Sequence, residues 1–247
     1  MCTLKTGYLE LWASEVNLPL ARFADCTRSI GSTGLDLLAI EDISPPPRLM
    51  ERLGAFDSII SWYGSNREEF RSQVSRLDLP FHFLPALPAG PNVHAVDFYL
   101  EQVRPWACAP ASAIPRIECP RSRGSHLAIH PFASSPRKRW PLGRFEQISG
   151  GFPVRWCAAP ADSLPGAVKI GNLYELACWL ATARVYLGND SGITHLAAAT
   201  GVPVVALFGP SDPAVWAPRG DTVRVVARST MDEITVEEVR SAILALW

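Results

Sequence analysis

The chain has 247 residues, 48% of them hydrophobic and 19% charged, with a formal net charge of −1. That length admits one large domain or two small ones around a sizeable core, and so even a charge balance leaves no electrostatic footprint for non-specific nucleic-acid binding. No apolar run reaches the length of a membrane-spanning helix, and the opening MCTLKTGYLELW lacks the long apolar stretch of a signal peptide.

In chain order, Tyr8 to Trp12 reads as a strand, Asn17 to Phe23 as a short helix, and Thr27 to Gly34 as another strand and turn. A helix is expected after Pro45 to Pro47, ending near Gly54. Asp57 to Tyr63 is an apolar strand, after which Gly64-Ser65-Asn66 supplies a turn and an N-cap for a helix over Arg67 to Arg76. Phe81 to Leu84 gives a further short strand and His94 to Trp106 a helix. Residues Ala107 to Gly124 carry three prolines, small and basic residues and no sustained period, the signature of a linker. The alternation then starts afresh: strand His126 to Ile129, a helix opened by Pro141, strand Val154 to Ala158, and a helix over Leu173 to Ala183 with Leu173, Leu176, Ala177 and Leu180 on one face. Val223 to Ala227 is the last strand. Thr235-Val-Glu-Glu238 is a capping box that opens a final helix burying Val236, Val239, Ile243 and Leu246.

Repeated strand–helix alternation argues for an α/β fold with doubly wound parallel sheets. The expected organisation is an N-terminal lobe over 1–106, a linker over 107–124 and a C-terminal lobe over 125–247, with a cleft between the lobes. Six cysteines, Cys2, Cys26, Cys108, Cys119, Cys157 and Cys178, are widely spaced with no C-x-x-C, which points to reduced structural thiols in a cytosolic protein.

The most informative stretch is Val185 to Gly220. An apolar run to Leu187 ends in Gly-Asn-Asp-Ser-Gly, a helix opens at Ile193 and closes at Gly201, and an apolar strand, Val202 to Phe208, meets a second turn, Gly209-Pro-Ser211. This is a βαβ unit, and ligands of such sheets bind beyond the carboxyl ends of the strands. A helix entered through Asn189-Asp190-Ser191-Gly192 offers free N–H groups and a positive dipole end to an anion. Gly192 admits a close approach, Ser191 adds a hydroxyl, and His195 lies one turn further on the same side. Asp190 beside an anion is repulsive, so it reads as an N–H acceptor shaping the turn or as a partner for a sugar hydroxyl. The plainer alternative makes Asp190 or Ser191 an N-cap and His195 a core histidine. A second loop, His130 to Trp140, carries three consecutive cations, Arg137, Lys138 and Arg139, able to neutralise a diphosphate without a metal. Taken alone, the loop reads rather as a solvated basic turn.

The runs Gly188-Asn-Asp-Ser-Gly192, His195-Leu-Ala-Ala-Ala199 and Ala206-Leu-Phe-Gly-Pro-Ser211, with Lys138-Arg-Trp-Pro141 upstream, closely resemble the heptosyltransferases of glycosyltransferase family 9. The resemblance is specific over Ser125 to Val226 and looser over Tyr8 to Trp106. It implies a GT-B architecture, two Rossmann-like lobes facing across a cleft. It also implies inverting, metal-independent and cofactor-free transfer from an ADP-sugar to a lipid-linked, lipopolysaccharide-core-like acceptor. The protein would be cytoplasmic, peripheral at the inner membrane surface. By position, Lys138 would contact the donor phosphates, and Asp190, Ser191, Gly192 and His195 would hold the diphosphate and its neighbouring sugar, with Ser134 and Asp162 also among the donor-binding residues.

Three departures from the family pattern stand out. Phe132 replaces the glycine after His-Pro. Ala158-Ala-Pro160 with Asp162 replaces Gly-Gly-Pro and the acidic residue that meets the ribose. The Gly-x-Gly-Asp turn that carries the family's proposed general base is not found. Tyr8 to Trp12 resembles the family's second strand, so the N-terminal lobe is expected to lack about one βα unit. The chain would then be a fragment or an impaired relative. Asp36 and Asp57 are the nearest acids to stand in as base, though both read as structural residues at element ends, and the catalytic residue is unassigned. The rival readings are a nucleotide-binding module without turnover, a GT-B sugar-nucleotide epimerase using a uridine donor, and a purely structural α/β protein.

Overall fold

A computed structural model describes residues 7–40, 44–88, 90, 93–109, 111–120 and 124–247. They fall into two units, Lys5–Ala89 and Gly90–Trp247.

In the smaller unit, β1 (Glu10–Ala13) pairs in parallel with β2 (Cys26–Ser29). After α1 (Pro47–Gly54), β3 (Ile59–Ser61) pairs in parallel with β4 (Phe81–Phe83) across the intervening α2 (Glu68–Arg76). The core is Leu35, Leu38, Leu49, Leu53, Phe70 and Val74. Phe70 meets Tyr63, Phe81 and Phe83 edge-on, and a Cβ on Gly64 would lie 2.3 Å from its ring. Gly64 has φ +71°, so only glycine suits both its backbone and its space. The Glu10 side chain, 4% exposed, accepts from Trp12 Nε1 (2.7 Å), Arg28 Nε (2.6 Å) and Arg52 Nη1 (3.1 Å). Burial pushes its pKa up, but hydrogen bonds from Trp12, Arg28, Tyr8 and Arg52 outweigh burial and hold it below the usual carboxylate range.

Several local expectations shift here. The helix expected over 17–23 is a 3-10 turn, Glu15–Leu20, because Pro19 lies inside it and has no N–H to continue an α ladder. The first turn of α2 is not capped by Asn66: its N-cap is Arg67, without a side-chain hydrogen bond.

The larger unit begins with α3 (Ala95–Val103), capped by His94, whose Nδ1 accepts from Val96 N (3.1 Å). Its partners correct the expected lobe boundary at 106. Arg219 donates to Asp97 (2.8 Å) and His94 Nε2 to the Ala217 carbonyl (2.9 Å), so α3 groups with residues 124–247. The Pro-rich segment is likewise strapped to this unit rather than strung between lobes. Ile117 N donates to Ala199 O (2.9 Å), Tyr174 Oη to Glu118 O (3.1 Å), Gly124 N to Thr182 O (2.8 Å), and Arg116 pairs with Asp221.

Then follow β5 (Leu127–His130), α4 (Leu142–Ser149), β6 (Val154–Ala158), β7 (Val168–Lys169), α5 (Leu173–Leu180), β8 (Val185–Asn189), α6 (Gly192–Thr200), β9 (Val204–Phe208), α7 (Pro213–Trp216), β10 (Val223–Ala227) and α8 (Val236–Leu244). The six strands form one parallel sheet in the order β10-β9-β8-β5-β6-β7. Every residue of β5, β8 and β9 is buried, as expected for central strands covered on both faces. Leu127, Ile129, Val185, Leu187, Val205 and Leu207 share one core with Phe145 and Ile148 of α4 and Val239 and Ile243 of α8. Each such side chain contributes about 1.5–3 kcal/mol by leaving water. On the other side α6 packs against β8 and β9, with Ala197, Ala198 and Ala199 buried, and α5 packs against α6. Gly201, at φ +83°, closes α6 as a left-handed C-cap. The capping box of Thr235 and Glu238 opens α8.

The chain runs outward from β5 to β6 and β7, then returns to β8 on the other side of β5 and runs outward again. The β5/β8 junction is therefore a topological switch point, where the following loops part and leave a crevice. His130 pairs with Gly188 in that register, so the loops after β5 and β8 leave side by side.

Candidate functional site

Tyr186 lays its ring over Gly188, where a Cβ would lie 2.3 Å from Tyr186 Oη, so glycine is required at 188. The strand runs on to Asn189, which is fully buried. Asn189 Nδ2 donates to Pro131 O (2.8 Å) and its Oδ1 accepts from Trp140 N (3.1 Å). One carboxamide thus ties both ends of the loop after β5 to the end of β8. Trp140 is held in turn by its indole N–H on Ile234 O (3.0 Å) and by edge contact with Phe145.

Three loops meet at Asp190, which is 8% exposed. Its Oδ2 accepts from Lys138 Nζ (2.6 Å) of the loop after β5 and from Ser211 Oγ (2.6 Å) of the loop after β9. Its backbone N–H donates to Leu207 O (2.9 Å). The carboxylate is therefore the counter-charge that aims Lys138 at the crevice. An ammonium has three N–H groups, so one bond to Asp190 leaves two for a ligand. Of the three cations in this loop only Lys138 bonds to Asp190. Arg139 turns back to Ala133 O (2.7 Å) with its guanidinium 5.9 Å from the Phe132 ring centre, and Arg137 is exposed.

Neither Asp190 nor Ser191 caps α6 with its side chain, which leaves the first N–H groups of the helix facing outward. Gly192 is exposed, and a Cβ built on it meets no atom within 4 Å, so the backbone is open to close approach. His195, half-buried on the next turn, has its pKa lowered. Burial is the main cause, nearby His94 and Lys138 add to it, and Asp190 opposes it. Its imidazole is neutral at neutral pH, with one nitrogen to donate and one to accept.

Asp162 and Ser134 stand apart. Asp162 closes a turn beyond β6 by accepting from Ala159 N (3.3 Å). It lies close enough to His130 to oppose the burial that drives that histidine's pKa down to about 4. Ser134 is exposed, and among the described residues no hydrogen bond joins it to Lys138 or Asp190. Asp36 and Asp57 are both exposed in the smaller unit, Asp36 opening a 3-10 turn and Asp57 just before β3. The structure adds Thr194 and His94 to the neighbourhood and gives specific partners to the side chains of Asn189 and Ser211. Asn189 and Ser211 lie within the matching motifs, whereas His94 comes from a helix about a hundred residues upstream and carries no local signal. Among the described residues no cluster of three His, Cys, Asp or Glu could hold a metal. The five described cysteines are free thiols, and burial pushes the Cys157 thiol up to about 12, making it inert. Cys2 lies outside the described residues.

The sequence model of glycosyltransferase family 9 (heptosyltransferase) matches residues 169–242. Lipooligosaccharide heptosyltransferase 2 of Haemophilus influenzae is 36% identical over 37% of this chain and 33% of its own length. Lipopolysaccharide heptosyltransferase 2 of Salmonella typhimurium is 43% identical over 37% of this chain and 32% of its own. The chain thus spans about a third of the length of the curated relatives it matches. A glycosyl transferase family 9 structure from Veillonella parvula superposes with a TM-score of 0.71 at 18% identity, covering 97% of this chain and 88% of that one. The Escherichia coli ADP-heptose heptosyltransferase II structure gives 0.57 at 18% identity, covering 97% and 89%. These two likenesses speak for a shared α/β fold. The family model thus covers the residues that hold β8, α6 and β9, and over this stretch the chain is similar to glycosyltransferase family 9.

Proposed function

We propose that the larger unit binds a nucleoside diphosphate sugar, by preference an ADP-sugar, at the β5/β8 crevice. The chain would act there as a heptosyltransferase-type glycosyltransferase. The observation that carries this reading is the convergence of Lys138, Asp190 and Ser211 beside the uncapped N-terminus of α6, at the switch point of a parallel sheet. An acceptor hydroxyl of a lipopolysaccharide-core-like saccharide would attack the anomeric carbon from the face opposite the nucleotide. The bond from that carbon to the diphosphate oxygen breaks, and the configuration inverts. Charge then builds on the departing diphosphate, where Lys138, the first N–H groups of α6 and His195 stabilise it without a metal. The base that takes the acceptor's proton is unassigned. Acceptors of this class put the work in the cytoplasm at the membrane surface. Among the described residues no helix is long and apolar enough to cross a membrane.

Calorimetric titration with ADP, UDP and GDP, without metal, tests the reading. The expected outcome is saturable binding that prefers ADP, weakened by about 1–3 kcal/mol in Lys138→Ala and in His195→Ala, the range for lost charge-assisted hydrogen bonds. A preference for UDP would favour an epimerase-like enzyme, and variants that bind as the parent does would remove the site from this crevice.

A further inference from the structure

Beneath the ligand-facing edge of α6 lies a small network of hydroxyls whose hydrogens can be counted. Thr194 Oγ1, fully buried, donates to the Asn189 carbonyl, which can only accept. A threonine hydroxyl has one hydrogen and two lone pairs. Its two other contacts, Tyr186 Oη at 3.1 Å and Ser191 Oγ at 3.2 Å, must therefore donate to it. Tyr186 is wholly buried, so water offers it no alternative; Thr194 is its partner at 3.1 Å, with the Ser191 hydroxyl as its other neighbour. Ser191, half-buried at the rim, then turns its only hydrogen inward and keeps only lone pairs for whatever binds. Ser211 repeats the arrangement independently, with its hydrogen directed to Asp190 Oδ2 at 2.6 Å.

We infer that Ser191 meets the ligand as a hydrogen-bond acceptor, set by Thr194 as a positioning residue, and so reads a hydroxyl of the transferred sugar rather than a phosphate oxygen. A phosphate oxygen of a diphosphate ester carries no hydrogen at neutral pH and would face the serine lone pair to lone pair. A sugar hydroxyl donates. The anion is left to Lys138, the α6 N–H groups and His195, while the serine distinguishes a nucleotide that still bears its sugar from one that has lost it. This inference rests on the nucleotide-sugar reading above.

The test is a titration of ADP and of ADP-heptose into the full chain and its Ser191→Ala, Thr194→Val and Thr194→Ser variants. Ser191→Ala is expected to hold ADP within about twofold of the parent while ADP-heptose weakens by roughly 3- to 10-fold, the worth of one neutral hydrogen bond. Thr194→Val releases the serine hydrogen to turn outward, so the preference for ADP-heptose over ADP narrows by a similar factor. Thr194→Ser restores it. Thr194→Val also strands the Tyr186 hydroxyl and can lower the melting temperature, which is why Ser191→Ala decides the matter. Equal losses of ADP and ADP-heptose in Ser191→Ala would show that the serine donates to phosphate and overturn the inference alone. A parent chain that binds neither ligand would overturn the nucleotide-sugar reading itself, and this inference with it.

Discussion

Both units alternate strands with helices and pair their described strands in parallel, yet they solve the burial problem differently. In Gly90–Trp247 six strands join one sheet, and its central three are buried on both faces. In Lys5–Ala89 the four described strands make two separate pairs of three or four residues each. A two-stranded sheet has no interior strand and is marginal by itself. The smaller core accordingly comes from helical segments, with Leu49 and Leu53 on α1 and Phe70 and Val74 on α2. A buried carboxylate, Glu10, gathers β1, β2 and α1 through Arg28 and Arg52. Local alternation therefore marks βα units; whether they merge into one sheet depends on strands that are apolar on both faces.

The sharpest way to break that contrast is to remove one large side chain from each core. Trp140→Ala and Phe70→Ala each empty a fully buried aromatic site, at an expected cost of about 3–5 kcal/mol. Thermal unfolding followed by hydrogen exchange should show Trp140→Ala lowering the transition of the larger unit and Phe70→Ala that of the smaller. A single transition moved by both variants would make the two cores one.

Acid sharpens the contrast next. His130 takes its proton at a pKa of about 4 when folded, because it is buried, and near 6.5 when unfolded. The unfolded chain binds the proton first, so this stability is complete above pH 6.5 and is lost as pH falls toward 4, by up to about 3 kcal/mol. Burial lowers His126 and His195 in the same sense. Glu10, held below 4.5, loses its contribution only as pH falls beneath that value. The larger unit should therefore weaken first on acidification. His130→Gln should flatten its melting temperature between pH 6.5 and 4; an unchanged slope would remove His130 as the cause.

The smallest effect expected is at a helix end. Thr235→Ala removes the capping box of α8 and should cost about 1 kcal/mol, read as a drop in the melting temperature of the larger unit alone.

Between residues 124 and 247 nearly every element is legible in the sequence, because its strands are apolar runs bounded by Gly, Asn and Pro, and its helices carry clear faces and caps. The Gly-Asn-Asp-Ser-Gly turn marks the candidate site for the same reason. The role of Asp190 is not legible. Its bond to Lys138 spans 52 positions and exists only because the sheet sets β5 beside β8. Composition also misreads the Pro-rich segment, since prolines mark both free connectors and extended straps, and only hydrogen bonds such as Ile117 to Ala199 tell them apart. A run of three cations looks uniform in sequence, whereas geometry directs Lys138 into the crevice and Arg139 back onto its own loop.

The two hydrogen bonds of Asn189 have a kinetic consequence. A flexible loop must lose chain entropy when a ligand orders it, and that loss slows capture and weakens affinity. Here the segment from Pro131 to Trp140 is already stapled at both ends to one buried carboxamide. With this loop preformed, the proposed nucleotide ligands should enter at rates set by diffusion and charge, and differences between them should lie in how long each one stays.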